Sequence, residues 1–176
     1  MTNLMEYSSP VGRIYLASEG DALTGLWIEG QKYFAATLEK AETREQESAP
    51  LLQAARWLDA YFAKAFLPAL PPLAPKGSSF RQAVWQLLLE IPYGQTTTYG
   101  ALAETLRRRG VGAAAQAVGG AVGHNPISII IPCHRVVGAD GSLTGYAGGI
   151  QIKRRLLELE GAAMDKLYVP KRGTAL

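Results

Sequence analysis

The stretch from Asn125 to Val137, Asn-Pro-Ile-Ser-Ile-Ile-Ile-Pro-Cys-His-Arg-Val-Val, restricts the possible folds more than any other. Ile129, Ile130 and Ile131 form an apolar β-branched run that predicts a short buried strand. Pro132 stops it, because proline has no amide proton to continue a ladder. Cys133, the chain's one cysteine, therefore falls where a buried strand ends and the backbone turns, a place where reactive side chains are often displayed. A free cysteine can equally serve as a small buried hydrophobe. The neighbours His134 and Arg135 favour the reactive reading, since nearby positive charge stabilises a thiolate. Adjacent residues of an extended strand point to opposite faces, so His134 need not touch the sulfur directly and could act through a turn or a water.

A chain of 176 residues suffices for one domain or two small ones, with a buried core. The single cysteine excludes an intrachain disulfide and any cysteine-based zinc cluster, and His124 and His134 are too few for a histidine-rich metal site. No metal or other cofactor is expected. The N-terminus shows no basic region before an apolar core, and no stretch has membrane-spanning length, so a cytoplasmic location without membrane contact is expected. Charge is unevenly placed. Residues 1–75 carry six Lys/Arg against nine Asp/Glu, and residues 76–176 carry twelve against six. The basic half is the better candidate for a nucleic-acid surface, although a solvated basic face would look the same.

Along the chain, alternation from Met5 to Ile28 around Glu19-Gly20-Asp21 predicts a β-hairpin. Gln31 to Glu47 is polar and reads as a helical start followed by a mobile loop. A helix is expected from Ala49 through the apolar positions up to Phe66, with Pro50 in its first turn. Pro68 to Ser78 holds four prolines and a glycine and marks a boundary, which gives domains 1–75 and 76–176. Ser78 or Ser79 caps a helix over Phe80–Leu89, Ile91-Pro92-Tyr93-Gly94 turns, and Thr98 caps a helix from Tyr99 to about Arg107. After Arg109-Gly110-Val111-Gly112 a second helix, Ala113 to Val122, completes a helix-turn-helix. This second helix is built almost wholly of small residues, including Gly119-Gly120. Either close packing between helices or close approach of a DNA backbone would explain glycines that each cost about 1 kcal/mol in a helix. Beyond the cysteine, Gly138 to Ser142 predicts a hairpin turn and Gly145 to Gly149 a flexible loop. A last helix, Ile150 to Glu160, is read with Ile152, Leu156, Leu157 and Leu159 inward and Lys153, Arg154 and Arg155 outward, ended by Gly161. The tail from Ala162 is expected to be loosely attached. The fold class is α/β of the α+β kind: a small N-terminal antiparallel sheet with helices, then a mostly helical C-terminal domain holding the helix-turn-helix and the cysteine.

The motif Pro132 to Val137, with Asn125-Pro126 before it, Gly145-Tyr146-Ala147-Gly148-Gly149 after it and Glu160 beyond, resembles the O6-alkylguanine-DNA alkyltransferase family. The similarity runs from about Phe80 to Gly161. It implies repair of double-stranded DNA by direct reversal: an alkyl group passes irreversibly from guanine O6, or thymine O4, to Cys133, once per molecule. In that scheme His134 acts through a water as base for Cys133 and Glu160 orients His134. Tyr99 supplies a proton to N3 of the flipped base, and Asn125 braces the active-site turn. Tyr146 lines the pocket, the backbone of Ala147 meets O6, and the Val136 carbonyl meets the exocyclic amine. The resemblance also implies a DNA surface of Ala115, Gln116, Ala117 and Gly119, to which we add Arg135, and a protein that acts as a monomer.

The chain departs from the family pattern at Gln116, where many members carry an arginine that fills the space of the flipped base. Glutamine can occupy the gap but lacks arginine's charge and planar fork. Arg107-Arg108-Arg109 could reinforce phosphate binding instead. A non-catalytic alkyltransferase-like protein that only binds damage is the main competing reading, but such proteins replace the acceptor cysteine and this chain keeps it. A turning-over thiol hydrolase would leave the small-residue helix without a role, and the family's regulatory members add a cysteine-rich zinc module absent here.

Overall fold

The computed structural model describes residues 1–171, and the chain divides into two compact units. The first comprises Met1–Lys76 with Pro126–Ser128, and the second Gly77–Asn125 with the described residues from Ile129 onward.

In the first unit, strands β1 (Thr2–Ser9), β2 (Gly12–Glu19) and β3 (Ala22–Ile28) form an antiparallel meander, so the expected hairpin gains a strand on its N-terminal side. The sheet is mixed rather than wholly antiparallel, because β4 (Thr43–Glu45) pairs in parallel with β1 and sets the order β3-β2-β1-β4. β4 lies in the segment read from sequence as helix and loop, which instead holds turns and one 3-10 turn (Lys40–Glu42). Its backbone is satisfied by the free edge of β1, a tertiary partner that local polarity does not reveal. Helix α1 (Ala49–Phe62) begins with Pro50 in its first turn and packs against the sheet, burying Leu51, Ala54, Leu58 and Tyr61 on the face that carries Ile14, Leu16, Leu26 and Ile28. Phe66 lies beyond the helix and is 95% exposed, contrary to its place in the apolar pattern. The open edge of β3 is covered by short parallel bridges from Leu73, in the proline-rich segment, and from Ile127.

In the second unit, Ser78 accepts a hydrogen bond from the Arg81 amide and starts α2 (Ser79–Leu88), as its position predicts. Thr98 caps α3 (Tyr99–Arg108) in the same way, accepting from the Ala101 amide. Helix α4 (Ala115–Gly123) begins two residues later than expected and has no side-chain cap. It packs against α2 and α3, and the Trp85 indole donates to the Ala121 carbonyl at 2.8 Å. Between α3 and α4, Arg109 makes a two-pronged ion pair with Glu90, while Arg107 and Arg108 both engage Glu104.

Ile129, Ile130 and Ile131 are buried but do not form the expected strand. They make a turn, with Ile129 in the left-handed region at φ 70°. A β-branched residue there costs on the order of 1–3 kcal/mol, so the surroundings must hold it. The strand of this region comes later: after a 3-10 turn at Cys133–Arg135, β6 (Val136–Val137) pairs in parallel with β5 (Thr97–Thr98). Gly138–Ser142 turns as expected, with the Gly138 amide bonded to the Ser142 carbonyl, but no hairpin ladder extends from it. Ser142 pairs with Tyr168 instead. The segment after Ala162 is accordingly docked: Met164, Leu167 and Val169 pack on Val137, Leu143 and Leu157, and the Leu143 amide bonds the Tyr168 carbonyl. The remainder of the tail, expected to be loose, lies outside the described residues.

Helix α5 (Ile150–Leu159) ends in a Schellman motif, with Gly161 at φ 73°, its amide on the Glu158 carbonyl and the Ala162 amide on the Leu157 carbonyl.

Two glycines test opposite uses of a missing Cβ. A Cβ on Gly120 of α4 would meet nothing within 4 Å, whereas one on Gly25 of β3 would sit 2.0 Å from the Trp27 ring. Gly120→Ala is expected to stabilise the free protein by about 1 kcal/mol, and Gly25→Ala to destabilise it by about 1–3 kcal/mol or more. Urea unfolding of the two variants checks this; equal shifts would contradict the packing described.

Candidate active site

The site is built from the turn that carries Cys133. Pro132 has φ −82° and ψ 63°, an inverse γ-turn in which the Cys133 amide bonds the Ile131 carbonyl at 2.8 Å. Asn125, two residues beyond α4, donates from Nδ2 to that same carbonyl at 2.8 Å and to Cys133 Sγ at 3.2 Å. One amide side chain thus ties the turn and points a donor at the sulfur. Burial pushes the Cys133 thiol up, while the Asn125 donor and then the charge of Lys153 act the other way.

His134 and Arg135, on the following two residues, both reach Glu160 at the C-terminal end of α5. His134 Nε2 lies 2.6 Å from Oε2, Arg135 Nε donates to Oε1 at 2.7 Å, and Nη2 donates to Oε2 at 3.1 Å. The Gly94 amide adds a contact to Oε1 at 3.3 Å. At Gly94 a Cβ would come within 2.9 Å of the Glu160 carbonyl, so this approach requires glycine. A buried carboxylate surrounded by donors stays ionised, and its Nε2 contact places the imidazole's other nitrogen in the acceptor role. His134 Nδ1 is buried without a hydrogen-bond partner among the described residues. Burial holds the His134 pKa below its ordinary value, with Glu160 opposing, so the ring is a neutral base at neutral pH.

A second group of polar contacts lies on the loop after β6. The Thr144 carbonyl accepts from the Tyr99 hydroxyl at 3.0 Å and from Lys153 Nζ at 2.6 Å. Lys153 also donates to the Val136 carbonyl. Tyr99 is pushed up to about 12, first by burial and then by Cys133, so its hydroxyl keeps its proton. Tyr146 is buried, its ring edge-on to His134 at a centroid distance of 6.5 Å.

Comparison with known proteins gives the arrangement its context. A family model described as the 6-O-methylguanine DNA methyltransferase DNA-binding domain matches residues 79–162, and one described as its ribonuclease-like domain matches residues 6–71. The methylated-DNA–protein-cysteine methyltransferase of Haemophilus influenzae is 44% identical over 156 residues, covering 88% of this chain and 83% of its own. The chain belongs to the 6-O-methylguanine DNA methyltransferase family. The Methanosarcina acetivorans methylated-DNA–protein-cysteine methyltransferase is 43% identical, covering 89% of this chain and 96% of its own. Among solved structures, Mycobacterium tuberculosis OGT in complex with DNA superposes with a TM-score of 0.79 at 43% identity, covering 90% of this chain and 92% of that one.

For a methyltransferase of this family, the fold gathers Cys133, Asn125, His134, Glu160, Tyr99 and Tyr146 around one turn and one loop. Ala147, on that loop, is half-buried. The Val136 carbonyl already accepts from Lys153, which leaves one lone pair for another donor. Ala115, Gln116 and Ala117 are exposed on the first turn of α4, and Gly119 is half-buried beside Tyr99. Arg135 is not at a DNA surface as expected. Its guanidinium is buried, bonded to Glu160 and to the Ile91 carbonyl, and held over the Tyr93 ring, so little of it is left for phosphate.

Lys153 is the residue of this region that sequence reading misplaces, because it falls beside Arg154 and Arg155 and reads with them as the outer face of α5. It is fully buried. The signal is in the spacing: positions 153, 156, 157 and 160 form an i, i+3, i+4, i+7 stripe, and all four side chains point inward.

Glu160→Ala leaves the buried Arg135 guanidinium without its partner, and removing one member of a buried pair costs about 3–5 kcal/mol. The expected outcome in denaturant unfolding is a loss of that size. A loss typical of an exposed pair, below about 1 kcal/mol, would show that the carboxylate does not organise the site.

Proposed function

We propose that this protein repairs double-stranded DNA by direct reversal, moving a methyl or larger alkyl group from guanine O6 to Cys133 and stopping after one transfer. The observation that carries the reading is the acceptor geometry: a single buried cysteine held by Asn125, followed by a histidine whose free nitrogen is set by Glu160. Retention of Cys133 in that setting favours transfer over the non-catalytic, damage-binding alternative. α3, its connection and α4 serve as the helix-turn-helix that meets DNA. The exposed start of α4, with small residues and no base-reading side chain besides Gln116, suits binding that tolerates any sequence. The protein acts alone, as a monomer, in the cytoplasm. Among the described residues no helix is long and apolar enough to cross a membrane.

The alkylated guanine leaves the stack and enters the site beside Cys133. His134 Nδ1, through a water, takes the thiol proton, and the thiolate attacks the alkyl carbon in line with the carbon–oxygen bond. A sulfur–carbon bond forms, the carbon–O6 bond breaks, and its electron pair stays with the purine. Tyr99 donates a proton to N3 as that charge develops, giving up its contact with the Thr144 carbonyl. The proton lost from sulfur balances the one the base finally gains. The Val136 carbonyl receives the exocyclic amine, the backbone of Ala147 meets O6, and Tyr146 closes the pocket. The product is a thioether, which has no proton to lose and is a poor leaving group, so turnover ends there.

Mass spectrometry after mixing with an O6-methylguanine duplex should find one added methyl, on the peptide containing Cys133. Cys133→Ser should abolish transfer while binding the duplex nearly as well; transfer by that variant, or a methyl on another residue, would overturn the assignment.

Gln116 is the residue placed to occupy the space left by the base, and unstacking costs a few kcal/mol. Arginine there would add stacking and attraction to phosphates. Gln116→Arg is therefore expected to speed repair of duplex DNA while leaving reaction with the free methylated base nearly unchanged. The comparison is made across salt concentrations, because added charge alone tightens binding. A duplex gain that vanishes at saturating DNA would mean that Gln116 does not enter the helix.

A further inference from the structure

The loop from Gly138 to Gly149 brings Thr144, Tyr146 and Ala147 to the site, yet little in its own sequence fixes its path. Gly145 and Gly149 hold positive φ (76° and 96°) and Gly148 stands between them, so the backbone there has wide freedom. The loop is held instead by the segment after α5, and Tyr168 is the point of attachment. Its amide donates to the Gly141 carbonyl at 3.1 Å and its carbonyl accepts from the Leu143 amide at 2.8 Å, a bridge that brackets Ser142. Its hydroxyl donates to Asp140 Oδ2 at 2.5 Å, while Asp140 Oδ1 accepts from the Ser142 amide at 3.1 Å. Gly141, at φ 90°, lies so close to the segment that a Cβ would come within 2.0 Å of the Lys166 carbonyl oxygen. Met164, Leu167 and Val169 add apolar contact with Val137, Leu143 and Leu157. The residue that follows this bridge is Thr144, whose carbonyl receives the Tyr99 hydroxyl. Tyr168 itself lies beyond residues 79–162, the stretch shared with the family's DNA-binding domain.

We propose that Tyr168 is a positioning residue for the alkyl transfer: through its main chain and its hydroxyl it clasps the loop, so that Thr144 engages Tyr99 while Tyr146 and Ala147 face the flipped base. The proposal rests on the reading of Cys133 as alkyl acceptor. It divides the site in two. The sulfur is aimed by Asn125 and by the turn that Glu160 braces. The base is received by the loop, and the loop depends on Tyr168. Loosening the clasp therefore slows transfer from a base and leaves the sulfur's own reactivity in place.

Gly141→Ala is the direct test, because the added methyl group has no room beside the Lys166 carbonyl and the left-handed backbone disfavours it. Two rates are followed by mass spectrometry in the folded, full-length variant, verified by circular dichroism. One is transfer from free O6-methylguanine. The other is alkylation of Cys133 by iodoacetamide, a reagent that needs the sulfur but no pocket for a base. Transfer should fall about tenfold or more, since a misplacement of about 1 Å can cost about 10²-fold, and the iodoacetamide rate should stay equal or rise. Unchanged transfer, or a parallel fall in both rates, overturns the proposal.

Asp140→Ala covers the case in which Gly141→Ala does not fold, since it removes the partner of the Tyr168 hydroxyl at an exposed position. Transfer should fall about threefold with no loss of iodoacetamide reactivity. Asp140→Asn, which keeps groups able to bond both Ser142 and Tyr168, should recover most of the rate. An Asp140→Ala transfer rate equal to that of the wild type overturns the proposal. A wild type that accepts no methyl from duplex DNA or from the free base overturns the reading of Cys133 and the proposal with it. A wild type that does accept one, beside variants that match it, overturns the proposal alone.

Discussion

The carboxylate of Glu160 is the interaction on which the site depends. It sits at the end of α5, where the helix dipole disfavours negative charge, and it is buried. Donors from His134, Arg135 and Gly94 surround it, so its desolvation is offset by charge-assisted hydrogen bonds. Because two of these donors flank each other directly after Cys133, fixing the carboxylate fixes the tight turn that aims the sulfur. The same contact orients the imidazole and selects its free nitrogen. One carboxylate therefore both braces the turn and orients the imidazole.

Around that carboxylate the charges are divided by role. Arg135 neutralises Glu160, and its guanidinium is committed to structure. Lys153 holds two backbone carbonyls, those of Val136 and Thr144. His134 stays neutral because burial and two nearby cations outweigh its single acidic neighbour. This separation lets three cationic residue types stand within one buried region without all being charged at once. Strain at Ile129 belongs to the same arrangement, since a left-handed β-branched residue persists only when buried neighbours hold the turn in place.

Much of the local structure was legible in the sequence because short-range rules govern it. Ser78 and Thr98 start their helices by accepting amide protons three residues on, and Gly161 ends α5 in the conformation that other residues avoid. Pro50 starts α1 for the same kind of reason. Failures came where a partner distant in sequence decided the outcome. β4 exists because the edge of β1 was open, and the segment after Ala162 is docked because Leu143 offers an unpaired amide beside an apolar cluster. The three isoleucines satisfied the rule for burial but not for strand, since burial follows from side-chain type and extension from available backbone partners.

By itself the sequence singled out Cys133, His134 and Glu160 as one group, and the fold brings the last two into contact directly beside the cysteine turn. The sequence also determined which half is basic and where the helices begin. Tertiary structure alone decided which cations are available. Arg135 and Lys153 look alike as charges near a cysteine, and a one-dimensional reading sent the first to the surface and the second to solvent. The fold buries both, since a side chain's charge says what it costs to desolvate but not whether a partner will be there to offset it. Glu160 meets Arg135, two carbonyls meet Lys153, and those encounters across the chain offset the burial of both.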